Sequence, residues 1–110
     1  MMYYSYENDH LFRSLDALSL GTDIVIELHD GCIFLGELDT CYETDNQLEP
    51  DDPNYREFYA SLVLVKKILS PGCQPHNFTV GDYVEVSIYC PPKRVSFTNN
   101  KTLWEDTSKA

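Results

Sequence analysis

The sequence predicts a small, mostly β domain in which a short N-terminal α-helix precedes five strands closed into a barrel. Three observations carry that expectation. Apolar residues recur at helical spacing only near the N-terminus, at Leu11, Leu15 and Leu18. From Thr22 onward the apolar period is two, which puts alternate side chains on opposite faces of a strand. The length, 110 residues, supports one core rather than two. The domain is expected to fill residues 1–98, with a polar C-terminal tail over 99–110.

The helix is expected from about His10 to Ser19, within residues 8–20. Asn8 and Asp9 are good N-caps, Phe12 joins the leucine stripe, and Gly21 stops it. A helix this short is marginal alone and needs a surface to lie on. Ile24, Ile26 and Leu28 alternate with Asp23 and Glu27 in the first strand. Asp30-Gly31 is a hairpin signal, because both turn positions must tolerate positive φ. The second strand runs from about Cys32 to Tyr42, and Gly36 in its middle permits the sharp bend that a small barrel requires.

Thr44 to Asn54 reads as a polar loop, with turn chemistry at Asp51-Asp52-Pro53-Asn54. Tyr55 to Leu69 is open between two readings. Phe58, Tyr59, Leu62 and Leu69 would line a helix, whereas the Leu62-Val63-Leu64-Val65 run and the aromatics favour a strand. Tyr83 to Tyr89 is a strand with Val84, Val86 and Ile88 on one face, and Pro91-Pro92 breaks it. Arg94-Val95-Ser96-Phe97 is the fifth strand. From Asn99 the chain is polar and expected to fray, although Leu103-Trp104 would be able to dock.

Eight Lys and Arg stand against eighteen Asp and Glu, a formal net charge of −10. Residues 1–55 hold thirteen of the acids and a single base, Arg13. Such a balance opposes nonspecific grip on a nucleic-acid backbone, which requires clustered Lys and Arg. It suits a solubilising surface or a face that meets a basic partner. No apolar run approaches the roughly 20 residues needed to span a bilayer. Met1 to Glu7 lacks the basic and apolar regions of a signal peptide. Reduced thiols at Cys32, Cys41, Cys73 and Cys90 are therefore expected, in an intracellular protein of cytoplasm or nucleus. In that setting the glycosylation patterns at Asn77 and Asn100 carry no meaning.

The stretch from Leu20 to Asp39 resembles the first motif of the Sm and Sm-like proteins, small barrels of SH3 type. Gly31, Gly36, Leu38 and Asp39 fall at the motif's positions, and Asn46 lies where the family carries a loop asparagine that contacts RNA bases. The likeness covers residues 10 to 46. The second motif, with its Arg-Gly pair, is absent: Ile88-Tyr89-Cys90-Pro91-Pro92-Lys93-Arg94 stands there instead, and an acidic insertion lengthens the loop after the second strand. The resemblance therefore implies a divergent, noncatalytic scaffold subunit of a ribonucleoprotein-assembly or other multiprotein complex. It would pair through edge strands, using Val84, Val86, Ile88, Val95 and Phe97, with another Sm-like barrel or with a strand of a larger subunit.

Two alternatives stay open. One is a small acidic inhibitor or nucleic-acid mimic, of phage anti-defence or immunity type, acting through Glu43, Asp45, Glu49, Asp51 and Asp52. Eight tyrosines suit a protein–protein interface of that kind, where Tyr is enriched. The other is an Sm-like RNA binder using Asn46. Among chemical constellations, His29 with Cys32 and Cys73 with His76 have spacings that could ligate zinc, though not those of a zinc ribbon. The acidic loop lacks the spacing and glycine of a calcium-binding EF-hand. No nucleophile elbow or glycine-rich phosphate loop is present, so neither catalysis nor a cofactor is expected.

Overall fold

The computed structural model describes residues 4–72 and 79–107. A 3-10 turn (Tyr6–Asn8) leads into helix α1 (His10–Asp16). The strands follow as β1 (Asp23–Glu27), β2 (Cys32–Asp45), β3 (Glu57–Pro71), β4 (Tyr83–Ser87), β5 (Arg94–Phe97) and β6 (Thr102–Glu105). They form one antiparallel sheet in the order β4-β3-β2-β1-β5-β6. Among the described residues no helix is long and apolar enough to cross a membrane.

The mostly β class stands, but the closed five-stranded barrel is corrected to an open sheet of six. The cause is β6, formed by residues expected to fray. Trp104 pairs with Val95 and Glu105 with Arg94, so the side of β5 away from β1 is already occupied. Arg94 fixes the connecting turn, donating to Thr102 Oγ1 at 2.9 Å and to the Asn100 carbonyl at 2.7 Å. Leu103 and Trp104 then pack against the core.

Helix α1 packs on one face of the sheet, against β2, β3 and β6. The Asp9 side chain caps it, accepting from the Phe12 N–H at 2.9 Å, and Leu11, Phe12 and Leu15 are buried. The helix ends at Asp16 rather than Ser19, and its last turn tightens as Leu18 N–H donates to the Leu15 carbonyl. Leu11 and Leu15 meet Ile24, Ile26, Phe34, Val63, Val65 and Val95 in one core. Each such fully buried apolar side chain contributes about 1.5–3 kcal/mol.

A hairpin forms at Asp30-Gly31, but only Gly31 takes positive φ, and the bond from the Leu28 N–H to the Cys32 carbonyl closes a three-residue loop in place of the expected two-residue turn. Gly31 has φ +91°, and Asp30 Oδ1 accepts from the Cys32 N–H. A Cβ on Gly36 would collide with Val63 Cγ1, so only glycine lets β2 lie this close to β3. Register shifts at Ile33/Phe34, Leu35/Gly36 and Leu38/Thr40 bend the long pair. β2 continues to Asp45, past the expected Tyr42, and Tyr55 to Leu69 belongs almost wholly to strand β3. β4 stops at Ser87 instead of Tyr89, because the Cys90 N–H turns back onto the Ser87 carbonyl at 3.1 Å.

Candidate protein-binding face on the distal hairpin

Beyond Leu38 and before Val63, β2 and β3 continue as a hairpin that β4 flanks along Ala60 to Leu62 and that is two-stranded from Tyr59 outward. Pairing runs from Thr40–Leu62 to Asp45–Glu57. Directly opposed residues share a face. Cys41, Glu43 and Asp45 therefore lie beside Ser61, Tyr59 and Glu57, on the side that continues the core.

The chain's N-terminal segment covers the base of that face. Tyr59 stacks on Phe12 at 4.9 Å and meets Tyr6 edge-on at 5.7 Å. The Tyr4 hydroxyl donates to Asp9 Oδ2 at 2.6 Å and accepts from the Tyr59 main-chain N–H at 3.2 Å. Asp9 is fully buried. Burial, and after it the bond to Asp9, raises the Tyr4 hydroxyl far above the ordinary tyrosine range. One carboxylate thus caps α1 and ties the segment before it to β3.

The outer half of the face is acidic. Desolvation and then the carboxylates of Glu57, Asp45 and Glu43 hold the Tyr55 hydroxyl above its ordinary value. Asp45 and Glu57 stand directly opposite each other, an arrangement of like charges that destabilises a hairpin. Glu49 and Asp51 are exposed in the connecting loop. Arg56 turns its guanidinium onto the carbonyls of Pro53 and Tyr55, at 3.2 and 2.7 Å. Ion pairs join Lys66 to Asp23 and Glu37, Lys93 to Glu27, and His29 to Asp106.

The opposite face links the hairpin to β4. The Tyr42 hydroxyl donates to the Glu85 carboxylate, and burial together with that bond pushes it up to about 12. Phe58 meets Tyr89 edge-on at 4.7 Å.

Of the residues expected to bind, the acidic group is brought to one end of the molecule, although Asp45 and Asp52 also serve the loop. Asp45 Oδ1 accepts from the Gln47 N–H and Asp52 Oδ1 from the Asn54 N–H. Sequence reasoning missed Tyr55 and Glu57 as members of this site, because their place depends on the β2–β3 register. Asn46, expected at an RNA contact, closes the loop. Its Nδ2 donates to the Asn54 carbonyl at 2.7 Å, and its Oδ1 accepts from the Arg56 N–H at 3.2 Å.

The expected edge residues divide. β4 is an outer strand, whereas β5 lies between β1 and β6, so Val95 and Phe97 are at no edge. Val86 and Val95 are core, Val84 packs against it, and Ile88 is exposed. For the zinc spacing, Cys32 is fully buried while His29 is exposed and faces Asp106 at 3.1 Å. Cys73 and His76 lie outside the described residues. Among those described, no three His, Cys, Asp or Glu are grouped to hold a metal ion.

Set against known protein families, residues 6–108 match the family described as cognate immunity protein YxxD. No curated protein and no solved structure matches the chain. The family match overturns the likeness to Sm-like proteins, together with the ribonucleoprotein role and the Sm-like partner drawn from it. Gly31 and Gly36 explain how the likeness arose. A tight turn and a close strand approach require glycine at that spacing in any bent hairpin, so the motif marks a shape and no ancestry.

Proposed function

The chain belongs to the YxxD cognate immunity family, and we propose that it neutralises a cognate toxin by binding it as a noncatalytic partner. The family match over residues 6–108 is the observation that carries this reading. The distal hairpin supports the choice of contact surface. Glu43, Asp45 and Glu57 surround Tyr55 there, beside an exposed acidic loop. Tyrosine supplies contact area at low entropic cost, and a field of one sign draws in a basic partner. The opposed pair Asp45–Glu57, unfavourable to the hairpin itself, is relieved when cationic side chains arrive.

The test is co-expression with the cognate toxin, alongside titration calorimetry of the purified pair. The wild-type chain should restore growth at one-to-one stoichiometry, with affinity falling as salt rises. Glu43→Lys, Asp45→Lys and Glu57→Lys together should weaken binding by about a hundredfold or more, since charge reversal replaces attraction with repulsion. Undiminished protection by the triple variant would remove the hairpin from the interface. Protection at strongly substoichiometric amounts would overturn the noncatalytic reading.

A further inference from the structure

β4 is a sheet edge that carries little of the protection edges usually have. One of its sides pairs with β3, and among the described residues the other pairs with no strand. Val65 N–H donates to the Asp82 carbonyl at 2.8 Å, which fixes the alternation of the antiparallel ladder. With Val63 opposite Val84 and Leu62 opposite Glu85, the main-chain groups of Val84 point to β3 and those of Tyr83 and Glu85 point outward. Ser87 follows the same alternation, its carbonyl turning away from β3 to accept from Cys90. Two consecutive outward positions thus remain available for pairing.

Glu85 is the exposed charged side chain of the strand, and apolar side chains flank it. Tyr83 is 53% exposed, Ile88 43% and Tyr89 53%, so apolar surface stands exposed along this edge and just past its end. Ile88 also lines a cleft of about 350 Å³ with Leu11, Pro91 and Trp104. The edge is continuous with the distal hairpin through Tyr42–Glu85 and Phe58–Tyr89. A second copy of this chain would bring another −10 of charge to the same surface, whereas a cationic partner meets it favourably.

We infer that β4 is an acceptor edge to which the toxin adds an extended strand. The added strand places an apolar side chain beside Tyr83 and a cationic one beside Glu85, while its main chain bonds to the outward groups of those two residues. This rests on the immunity reading but does not follow from it, since an acidic hairpin can bind a toxin with β4 left bare.

Hydrogen exchange of the purified chain, alone and in complex with its cognate toxin, tests the inference without altering either protein. The Tyr83 and Glu85 amides should exchange rapidly in the free chain and slow by about tenfold or more in the complex, as unbonded amides become ladder donors. Glu85→Pro removes one outward donor, and the β3 ladder does not use that N–H. It should weaken binding by about tenfold, with the circular dichroism of the variant confirming its fold. A complex that forms while both amides still exchange rapidly overturns the acceptor edge and leaves the immunity reading standing. Failure of any complex to form overturns both.

Discussion

β2 and β3 are the same two strands along their whole length, yet their two ends are built on opposite principles. At the proximal end Ile33 to Leu38 alternates strictly between buried and half-exposed positions, and nearby carboxylates have partners. Lys66 stands 2.9 Å from Asp23 and 3.7 Å from Glu37, and Lys93 stands 3.5 Å from Glu27. At the distal end, past the shift at Leu38/Thr40, the alternation lapses in β2, and Glu43, Asp45 and Glu57 gather around Tyr55 while β3 keeps Phe58 and Ala60 buried. The proximal end is arranged for its own stability. The distal end accepts like charges directly opposite each other, a cost that the proposed contact with a basic partner would offset.

The contrast can be broken most severely at Phe34, which is fully buried in the proximal core. Phe34→Ala should cost about 3–5 kcal/mol, measured by urea denaturation. At temperatures where the variant stays folded its affinity for toxin should be unchanged. A matching loss of affinity would mean that the two ends are not separable.

The sharper test is Asp45→Lys, which converts the opposed pair with Glu57 into a favourable cross-strand pair. The new cross-strand pair offsets the lost bond from the Gln47 N–H to Asp45, so thermal unfolding should show stability near that of the wild type, while toxin affinity falls by about tenfold. A variant that loses stability along with affinity would show Asp45 to be structural. The smallest effect is expected from Lys66→Ala. The pair it removes is exposed, so the change in unfolding midpoint should be slight and should vanish in molar salt, with toxin binding untouched.

What could be read from the sequence follows the same division between local and remote causes. The Asp30-Gly31 turn and the Arg94–Phe97 strand were legible because turn chemistry and alternation act within a few residues. Asp9 was legible as a cap for the same reason. β6 was not, because Thr102 to Glu105 has only Leu103 and Trp104 to suggest a strand and is fixed by pairing with β5. Barrel closure failed as a consequence, since it depends on which strand occupies the far side of β5. The acidic half of the site was visible as composition. That Glu57 faces Asp45, and that Tyr55 sits among three carboxylates, depends on a register that no short window of sequence contains. The two glycines misled for the complementary reason, being required by geometry common to many bent hairpins.

The placement of β5 beside β1 also governs timing during synthesis. Ile24 pairs with Phe97 and Ile26 with Val95, so β1 meets its second neighbour only after every residue up to β5 has been translated. Until then one side of β1 lies bare, and Ile24 and Ile26 lack the cover that Val95 provides. Contacts this distant in sequence form slowly, because a long loop must close before they stabilise anything. A chain shortened before β5 would not yield a weaker version of the fold. It would leave β1 as a second unpaired edge, exposing a strand that aggregates. Completion of the sheet on that side of β1 thus waits on β5.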